Sequence, residues 1–360
     1  MLNLSTISYK EKHQRQKRKL IILLILILIF TILFAFFSLF LGSSSMKFKD
    51  AFLGLFGKGD NINIRIMQKI RLPRVLAAIL CGIGLSISGL IMQTCLNNPM
   101  ASPATLGVSN ASVLGANVAI IMISGGKVST NNNTNWNVFN PYAVSSIAFL
   151  FSLVAILLIL IIAKTKNFSP ETLVLSGLSL SSLFAAITTL MQYFATDTQL
   201  SSAVYWSFGD LGRVGYKEIL IMLFAILISY IVFTLYTSQL NALCLGDDIA
   251  KTTGVNTEML RFVLLGLSSL VTATCISFLG VISFLGLICP HVARKIFSNN
   301  HKYLLPSTAM FGSILLLFSD DVSRSLLKGF SLPVGALTAI LGAPFFLAII
   351  FSYERGKKHA

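Results

Sequence analysis

The most constraining feature of the sequence is an apolar run of 22 residues from Leu20 to Leu41, in which only Thr31 and Ser38 are polar. At about 1.5 Å per residue, a helix over this run crosses the roughly 30 Å hydrocarbon core of a bilayer. A cleaved signal peptide has an apolar region of only about 7–15 residues. The run therefore predicts an uncleaved first transmembrane helix.

Composition extends this conclusion to the whole chain. The 360 residues are 55% hydrophobic and 11% charged, with a mean hydropathy of +0.80. A soluble globular protein carries about 25% charged residues, and a disordered chain needs low hydrophobicity and abundant charge. Both classes are excluded, which leaves an all-α polytopic membrane protein.

Nine further apolar segments follow the first, so we expect about ten transmembrane helices with both termini in the cytoplasm. The segment 280–289 is short, and we include it because the basic residues after Pro290 favour a cytoplasmic loop. Residues 1–19 and 353–360 are predicted to be cytoplasmic tails, with a transmembrane domain over 20–352. The further segments are 75–95, 104–123, 142–163, 172–194, 217–236, 259–279, 280–289, 304–323 and 333–352.

The basic residues follow the topology only in part. Six of them, Lys10, Lys12, Arg15 and Lys17 to Lys19, precede the first helix and place its start inside. An excess of basic residues remains on the predicted outer side of the membrane, and topology alone does not explain it. It is concentrated at Arg65, Lys69, Arg71, Arg74, Arg213, Lys217, Arg324 and Lys328.

The sequence lacks the motifs of an enzyme. No G-x-x-x-x-G-K-[ST] phosphate loop occurs, because Gly125-Gly126-Lys127 is followed by Val128. No HExxH, GxSxG or paired His/Cys spacing is present either. We therefore expect no ATPase activity and no bound metal or cofactor in this chain. The five cysteines are predicted to be buried thiols.

The carboxylates, including Asp320 and Asp321, fall at predicted span ends or in loops. A proton relay needs ionisable groups near the middle of the membrane, so we expect the energy for transport to come from a partner. Small residues at helical spacing, Gly82 to Gly89, predict close helix packing, and a role in lining a substrate path stays open.

The longest polar cytoplasmic interruption runs from Thr237 to Glu258. Two short helices broken at Gly246 and Gly254 are expected there. A plain connector, with Asp247 at a helix amino terminus, is the alternative.

Four blocks of residues together resemble a known family. The sequence is similar to the FecCD-type permeases, the membrane subunits of ABC importers for iron-siderophores, haem and cobalamin. Met100, Asp247 and Ser283 depart from the residues usual in that family. The blocks are Arg71-Leu72-Pro73-Arg74 through Leu106-Gly107, Leu245-Gly246-Asp247 with Ala250 and Gly254, Gly280 to Arg294, and Leu332 to Phe346.

The resemblance implies a dimer of permeases, identical or paralogous, with a path along their interface. It also implies two ATPase subunits beneath and an extracytoplasmic binding protein above. By this resemblance, Arg71, Arg74 and Arg324 face outward and dock the binding protein. Leu245, Gly246, Asp247, Ala250 and Gly254, within a coupling segment at about 244–256, contact the ATPase, and Asn98, Met100, Ser169 and Glu171 belong to the cytoplasmic gate.

From these observations we expect the permease subunit of an ABC importer in a prokaryotic plasma membrane, moving an iron-siderophore by alternating access. Cobalamin or haem import is the alternative cargo. An ATP-independent secondary carrier is the alternative of another class, and a channel is disfavoured by the lack of a charge ring. The expected partners include the lipid bilayer and exclude nucleic acid, and ATP with Mg²⁺ would be bound by the partner ATPase.

Overall fold

The computed structural model describes residues 3–42, 46, 48–123, 141–165, 168–326 and 331–357. Some sequence expectations fall outside these ranges: the Gly125 to Val128 segment, the charges of Lys166 and Lys328, and the chain ends at 1–2 and 358–360.

Within the described ranges the chain forms helices and connecting loops, without a β-strand. Short π-helical turns follow α3 at Met67–Arg71 and α5 at Val118–Ile123, and a 3-10 turn lies at Leu211–Arg213. The helices are α1 (Asn3–Phe40), α2 (Phe48–Leu55), α3 (Asn61–Ile66), α4 (Leu72–Cys95), α5 (Val108–Asn117), α6 (Pro141–Lys164), α7 (Pro170–Tyr193), α8 (Asp197–Ser207), α9 (Tyr216–Leu235), α10 (Thr237–Leu243), α11 (Asp247–Thr252), α12 (Thr257–Leu279), α13 (Leu285–Ile296), α14 (His301–Ser325) and α15 (Val334–Lys357).

Seven helical segments of the described chain are long and apolar enough to cross a bilayer. They coincide with the first span and with those predicted around α4, α6, α7, α9, α12 and α14. Val108–Ile123 and Val334–Leu347 are apolar but shorter. The prediction of an all-α polytopic membrane protein is confirmed.

The predicted span at 280–289 differs from the structure. Gly280 to Phe284 is not helical, and α13 occupies Leu285–Ile296 instead. Both Gly280, with φ 79°, and Phe284, with φ 68°, adopt the left-handed conformation that interrupts a helix. Non-helical backbone at membrane depth is stable only where protein covers it or where it lines a cavity. The end of α8 and the residues after it provide that cover, because a Cβ on Gly280 would lie 2.5 Å from the carbonyl oxygen of Trp206 and 3.0 Å from Cα of Gly209.

Helix α4 is the centre of the bundle and packs against α14, α12, α13 and α9. Its small residues permit two very close helix crossings. A Cβ on Gly82 would lie 2.4 Å from the carbonyl oxygen of Gly312 in α14, and one on Gly89 would lie 2.1 Å from that of Gly286 in α13. The predicted close packing is confirmed.

Helix α1 lies at the edge of the bundle. In its most apolar stretch only 6% of the residues are buried by protein. The predicted 1–19 tail is not a separate element in the described residues, because α1 runs without a break from Asn3 to Phe40. At the other end α15 continues to Lys357, so most of the predicted 353–360 tail is helical as well.

The cysteines are free thiols, and four of them are buried as predicted. Cys244, which follows α10, is exposed. The expectation of a buried thiol is wrong for Cys244, because α10 ends in an exposed turn there.

Candidate functional site

The predicted coupling segment consists of two short helices, α10 and α11, joined at Gly246. Gly246 has φ 113° and Gly254, which follows α11, has φ 84°, so both positions favour glycine. Leu245 is 67% exposed, whereas Ala250 is fully buried and fixes α11 to the bundle. The two breaks expected at Gly246 and Gly254 are therefore present.

An open groove of about 590 Å³ lies beside this segment. Its walls come from the end of α9, from α10, and from the loop that joins α11 to α12. This groove can accept a protruding element of a partner. It is lined by Tyr236, Ser238, Gln239, Ala242, Thr253, Gly254, Val255, Asn256, Met259 and Leu260.

Asp247 does not act as a free helix cap. Its two carboxylate oxygens accept hydrogen bonds from Nη1 and Nη2 of Arg261 at 2.6 and 2.7 Å. The hydrogen bonds from Arg261 hold the pKa of the Asp247 carboxyl below its ordinary value. Only 1% of Arg261 is exposed, and its Nε donates to the carbonyl oxygen of Cys95 at 2.7 Å. Sequence reasoning missed this residue, treating it only as a topology charge.

The first predicted gate segment follows α4 directly. The Asn98 side-chain oxygen accepts a hydrogen bond from the Met100 amide at 2.9 Å, which closes a tight turn. Met100 itself is 47% exposed. The turn also contacts α13, where Nε2 of His291 lies 3.1 Å from the carbonyl oxygen of Pro99.

The second predicted gate segment begins α7. Ser169 caps this helix, because its hydroxyl oxygen accepts a hydrogen bond from the Thr172 amide at 3.2 Å. Glu171 is exposed in the first turn. No hydrogen bond or ion pair of the described residues joins this segment to the turn at Asn98 and Met100. The gate assignment of these four residues stays a prediction.

The three arginines expected at the outer rim lie inside the protomer. Arg71, Arg74 and Arg324 are 4%, 9% and 6% exposed. Nε of Arg74 contacts Asp320 at 2.8 Å and Nε of Arg324 contacts the same carboxylate at 2.9 Å. Their expected outward orientation is wrong, because carboxylates of α14 hold Arg74 and Arg324 in the bundle, and backbone carbonyls of α1 hold Arg71 there. Their role in docking stays a prediction.

This outer ion-pair cluster, Arg74, Asp320, Asp321 and Arg324, also fixes helix α1. The Ser38 hydroxyl donates to Asp321 at 2.6 Å, and Nη2 of Arg324 contacts that carboxylate at 2.5 Å. The sequence signal was available, since Asp320 and Asp321 precede Arg324 by four and three residues, one helical turn. Removing one member of a buried ion pair typically costs about 3–5 kcal/mol.

Arg71, next to the outer ion-pair cluster, also attaches the end of α1 to the bundle. Arg71 donates from Nη1 to the carbonyl oxygens of Leu39 and Phe40, each at 3.1 Å. These carbonyls end α1 and have no partner within the helix. The end of α1 is thus held by Arg71, which precedes α4, and by Asp321 and Arg324 of α14.

The described residues contain no group of three or more His, Cys, Asp or Glu side chains suited to a metal ion. The candidate sites are instead a groove beside α10 and α11, a turn after α4, and an ion-pair cluster at the opposite end of α4.

A family model described as the FecCD transport family matches residues 23–352 of this chain. The chain belongs to the FecCD transport family. The resemblance to this family, which the four sequence blocks indicated, is thereby confirmed over nearly the whole membrane-spanning part of the chain.

Comparison with individual proteins supports the same family. The chain is 42% identical to a protein of Methanocaldococcus jannaschii described as an ABC transporter permease, over 90% of this chain and 92% of that one. It is 33% identical to the Fe(3+)-citrate import system permease protein YfmE of Bacillus subtilis, over 79% and 81%.

A solved structure supports the fold. It is described as an inward-facing conformation of a metal-chelate type ABC transporter, and it matches with a TM-score of 0.79 and 28% identity over 92% of this chain and 99% of that one. This FecCD protein is accordingly the multi-pass permease of an ABC importer in the plasma membrane, a transmembrane subunit and not the ATPase.

Proposed function

We propose that this FecCD permease moves an iron-siderophore complex across the plasma membrane by alternating access. The observation that carries the cargo class is its likeness to an iron-citrate permease at 33% identity over most of both chains. The names of other relatives give haemin and cobalamin as cargo. These three cargoes share one property, a metal that arrives already held by an organic ligand.

The chain's part in this process is positional. It performs no covalent chemistry, holds no cofactor, and leaves ATP and Mg²⁺ to a partner ATPase. The short helices α10 and α11 would fit a groove on the ATPase, one ATPase subunit for each permease, with Leu245 exposed for this contact. A second permease, identical or paralogous, would complete the path, and Asn98, Met100, Ser169 and Glu171 would close it on the cytoplasmic side.

An extracytoplasmic binding protein would deliver the complex to the outer face. Arg71, Arg74 and Arg324 would support this docking face from within, because the cluster holds the ends of α1, α4 and α14 together. Exposed cations would supply the contacts themselves, namely Lys49, Lys58, Arg65, Lys69, Arg213 and Lys217. Exposed ion pairs contribute about 0–1 kcal/mol each, so they act mainly on orientation and association rate.

The test is uptake by proteoliposomes that hold the permease with its ATPase and binding protein. Labelled ferric siderophores, haem and cobalamin are compared at equal concentration, with and without ATP. We expect ATP-dependent uptake of one ferric siderophore. Preference for haem or cobalamin would overturn the cargo, and uptake that continued without the ATPase would indicate a secondary carrier.

The same preparation tests docking. Affinity for the binding protein is measured at low and high salt, since contacts between exposed charges weaken as screening increases. We expect the affinity to fall with salt. An affinity independent of salt would contradict docking through the exposed cations.

A further inference from the structure

The last turn of α4, Gln93 to Cys95, connects the coupling segment with the gate turn. It is followed within three residues by Asn98, whose side chain closes that turn onto Met100. Polar contacts connect this last turn to α10 and α11 on one side and to α13 on the other.

The first contact comes from α11 through Arg261. All three guanidinium nitrogens are used, two on the carboxylate of Asp247 and Nε on the carbonyl oxygen of Cys95. That carbonyl lies in the last turn of α4 and lacks a partner within the helix. The planar, forked guanidinium fixes Asp247 and Cys95 relative to one another in both distance and angle.

A second contact comes from α10 through His301. The ring nitrogen Nε2 lies 2.9 Å from the Thr94 hydroxyl, and Nδ1 lies 2.8 Å from the side-chain oxygen of Asn241 in α10. His301 is 1% exposed. Both helices of the coupling segment are therefore connected to adjacent residues of α4.

On its other side the turn is held by α13. Nη1 of Arg294 donates to the side-chain oxygen of Gln93 at 2.5 Å, and the Gln93 amide donates to the carbonyl oxygen of Gly286 at 3.0 Å. A displacement of α10 and α11 would thus reach α4 and α13 together. Fully satisfied, buried polar networks are rigid, and close-packed interiors transmit strain, so these contacts can carry such a displacement between the helices.

We infer that Arg261 is a positioning residue that transmits movement of the coupling segment to the gate turn through the last turn of α4. This inference rests on the proposed function, because it needs an ATPase that moves α10 and α11. It adds residues that lie outside the predicted site: Arg261 in α12, and Thr94 and Cys95 in α4.

The test compares permease variants in the full complex with ATPase and binding protein. Asp247→Asn keeps the shape of the side chain and removes its charge, whereas Asp247→Glu restores the carboxylate. Asp248→Asn is the matched control, since Asp248 is exposed in the same turn of α11. Arg261→Lys removes the fork while keeping the positive charge.

Cargo transported per ATP hydrolysed is the decisive ratio. We expect Asp247→Asn and Arg261→Lys to lower it about five-fold or more, the lower range of typical coupling between sites. The amount of bound ATPase is measured in each variant, so that the ratio refers to assembled complexes. Asp248→Asn should behave as wild type, and Asp247→Glu should recover part of the ratio. An unchanged ratio in Asp247→Asn would overturn the inference. Absence of ATP-driven uptake in the wild-type complex would instead refute the proposed function.

A second readout separates transmission from simple stabilisation. Met100→Cys is introduced into a Cys244→Ser background, and its maleimide labelling rate is measured with and without ATP. We expect ATP to change this rate when Asp247 is intact and to have no effect in Asp247→Asn. A nucleotide response that survives in Asp247→Asn would contradict the inference even if that variant were less stable.

Discussion

At the scale of single residues, the ion pair between Asp247 and Arg261 makes stability depend on pH in a definite direction. The hydrogen bonds from Arg261 lower the pKa of the Asp247 carboxyl below its ordinary value. The folded protein then binds fewer protons at this site than the unfolded chain, so the stabilisation is complete above about pH 4 and disappears as the pH falls through the lowered pKa.

This predicts a constant stability difference between wild type and Asp247→Asn from about pH 8 to about pH 5, closing only at more acidic pH. The measurement is the thermal unfolding temperature of the detergent-solubilised protein across that range, with Asp248→Asn as control. A difference that vanished between pH 7 and pH 5 would mean that the folded-state pKa is not lowered.

Other residues show what could be read from the sequence at this scale. Gly246 and Gly254 were predicted as breaks because glycine tolerates positive φ, and both have it. Arg74 could not be placed in the same way. Its partner Asp320 is 246 residues away, and no local pattern specifies which helix faces meet.

At the scale of elements, the glycines of α4 decide how closely helices approach. Gly89→Ala would place a Cβ 2.1 Å from the carbonyl oxygen of Gly286, so α13 would have to move. We expect a loss of about 1–3 kcal/mol in the free energy of unfolding, as for other overpacked sites. Thermal unfolding in detergent measures the direction of this effect.

Gly266 in α12 offers a matched control. The nearest atom that a Cβ would meet there is Cδ1 of Leu160 at 3.9 Å, an ordinary contact. Gly266→Ala should be neutral or stabilise by up to about 1 kcal/mol, since alanine favours helix. If both variants melted alike, close packing at Gly89 would not be limiting.

The bounds of the elements were predictable where apolar runs are long. The run at Leu20 to Leu41 corresponds to a helix, and so does the segment at 259–279. The segment at 280–289 was not predictable in this way, because Phe284 takes a positive φ and packs against Gly342 of α15, far away in the sequence.

At the scale of the whole molecule, the predicted topology places Cys244 at the cytoplasmic face. All five cysteines lie within the described residues, and among them only Cys244 is exposed. We expect a membrane-impermeant maleimide to label Cys244 in inside-out vesicles and to leave right-side-out vesicles unlabelled. Adding the ATPase should slow the labelling, because Cys244 lies next to the groove.

Cys244→Ser is the control and should abolish the signal. Labelling from the outside would reverse the assigned orientation of every span. Labelling that the bound ATPase did not slow would move its docking site away from α10 and α11.

The class of protein, seven of the ten predicted spans, the breaks at Gly246 and Gly254 and the family could all be predicted from the sequence, because each depends on local composition or on residues in a fixed order. The partners of the buried charges became known only from the packing of the helices. Arg71, Arg74 and Arg324 were expected at the surface, and the structure pairs them inside. Arg261 acquired a candidate role only when Asp247 and Cys95, from two other elements, were found on its guanidinium. Burying a charge is costly unless it is paired, and the partner is chosen by which helix faces pack together.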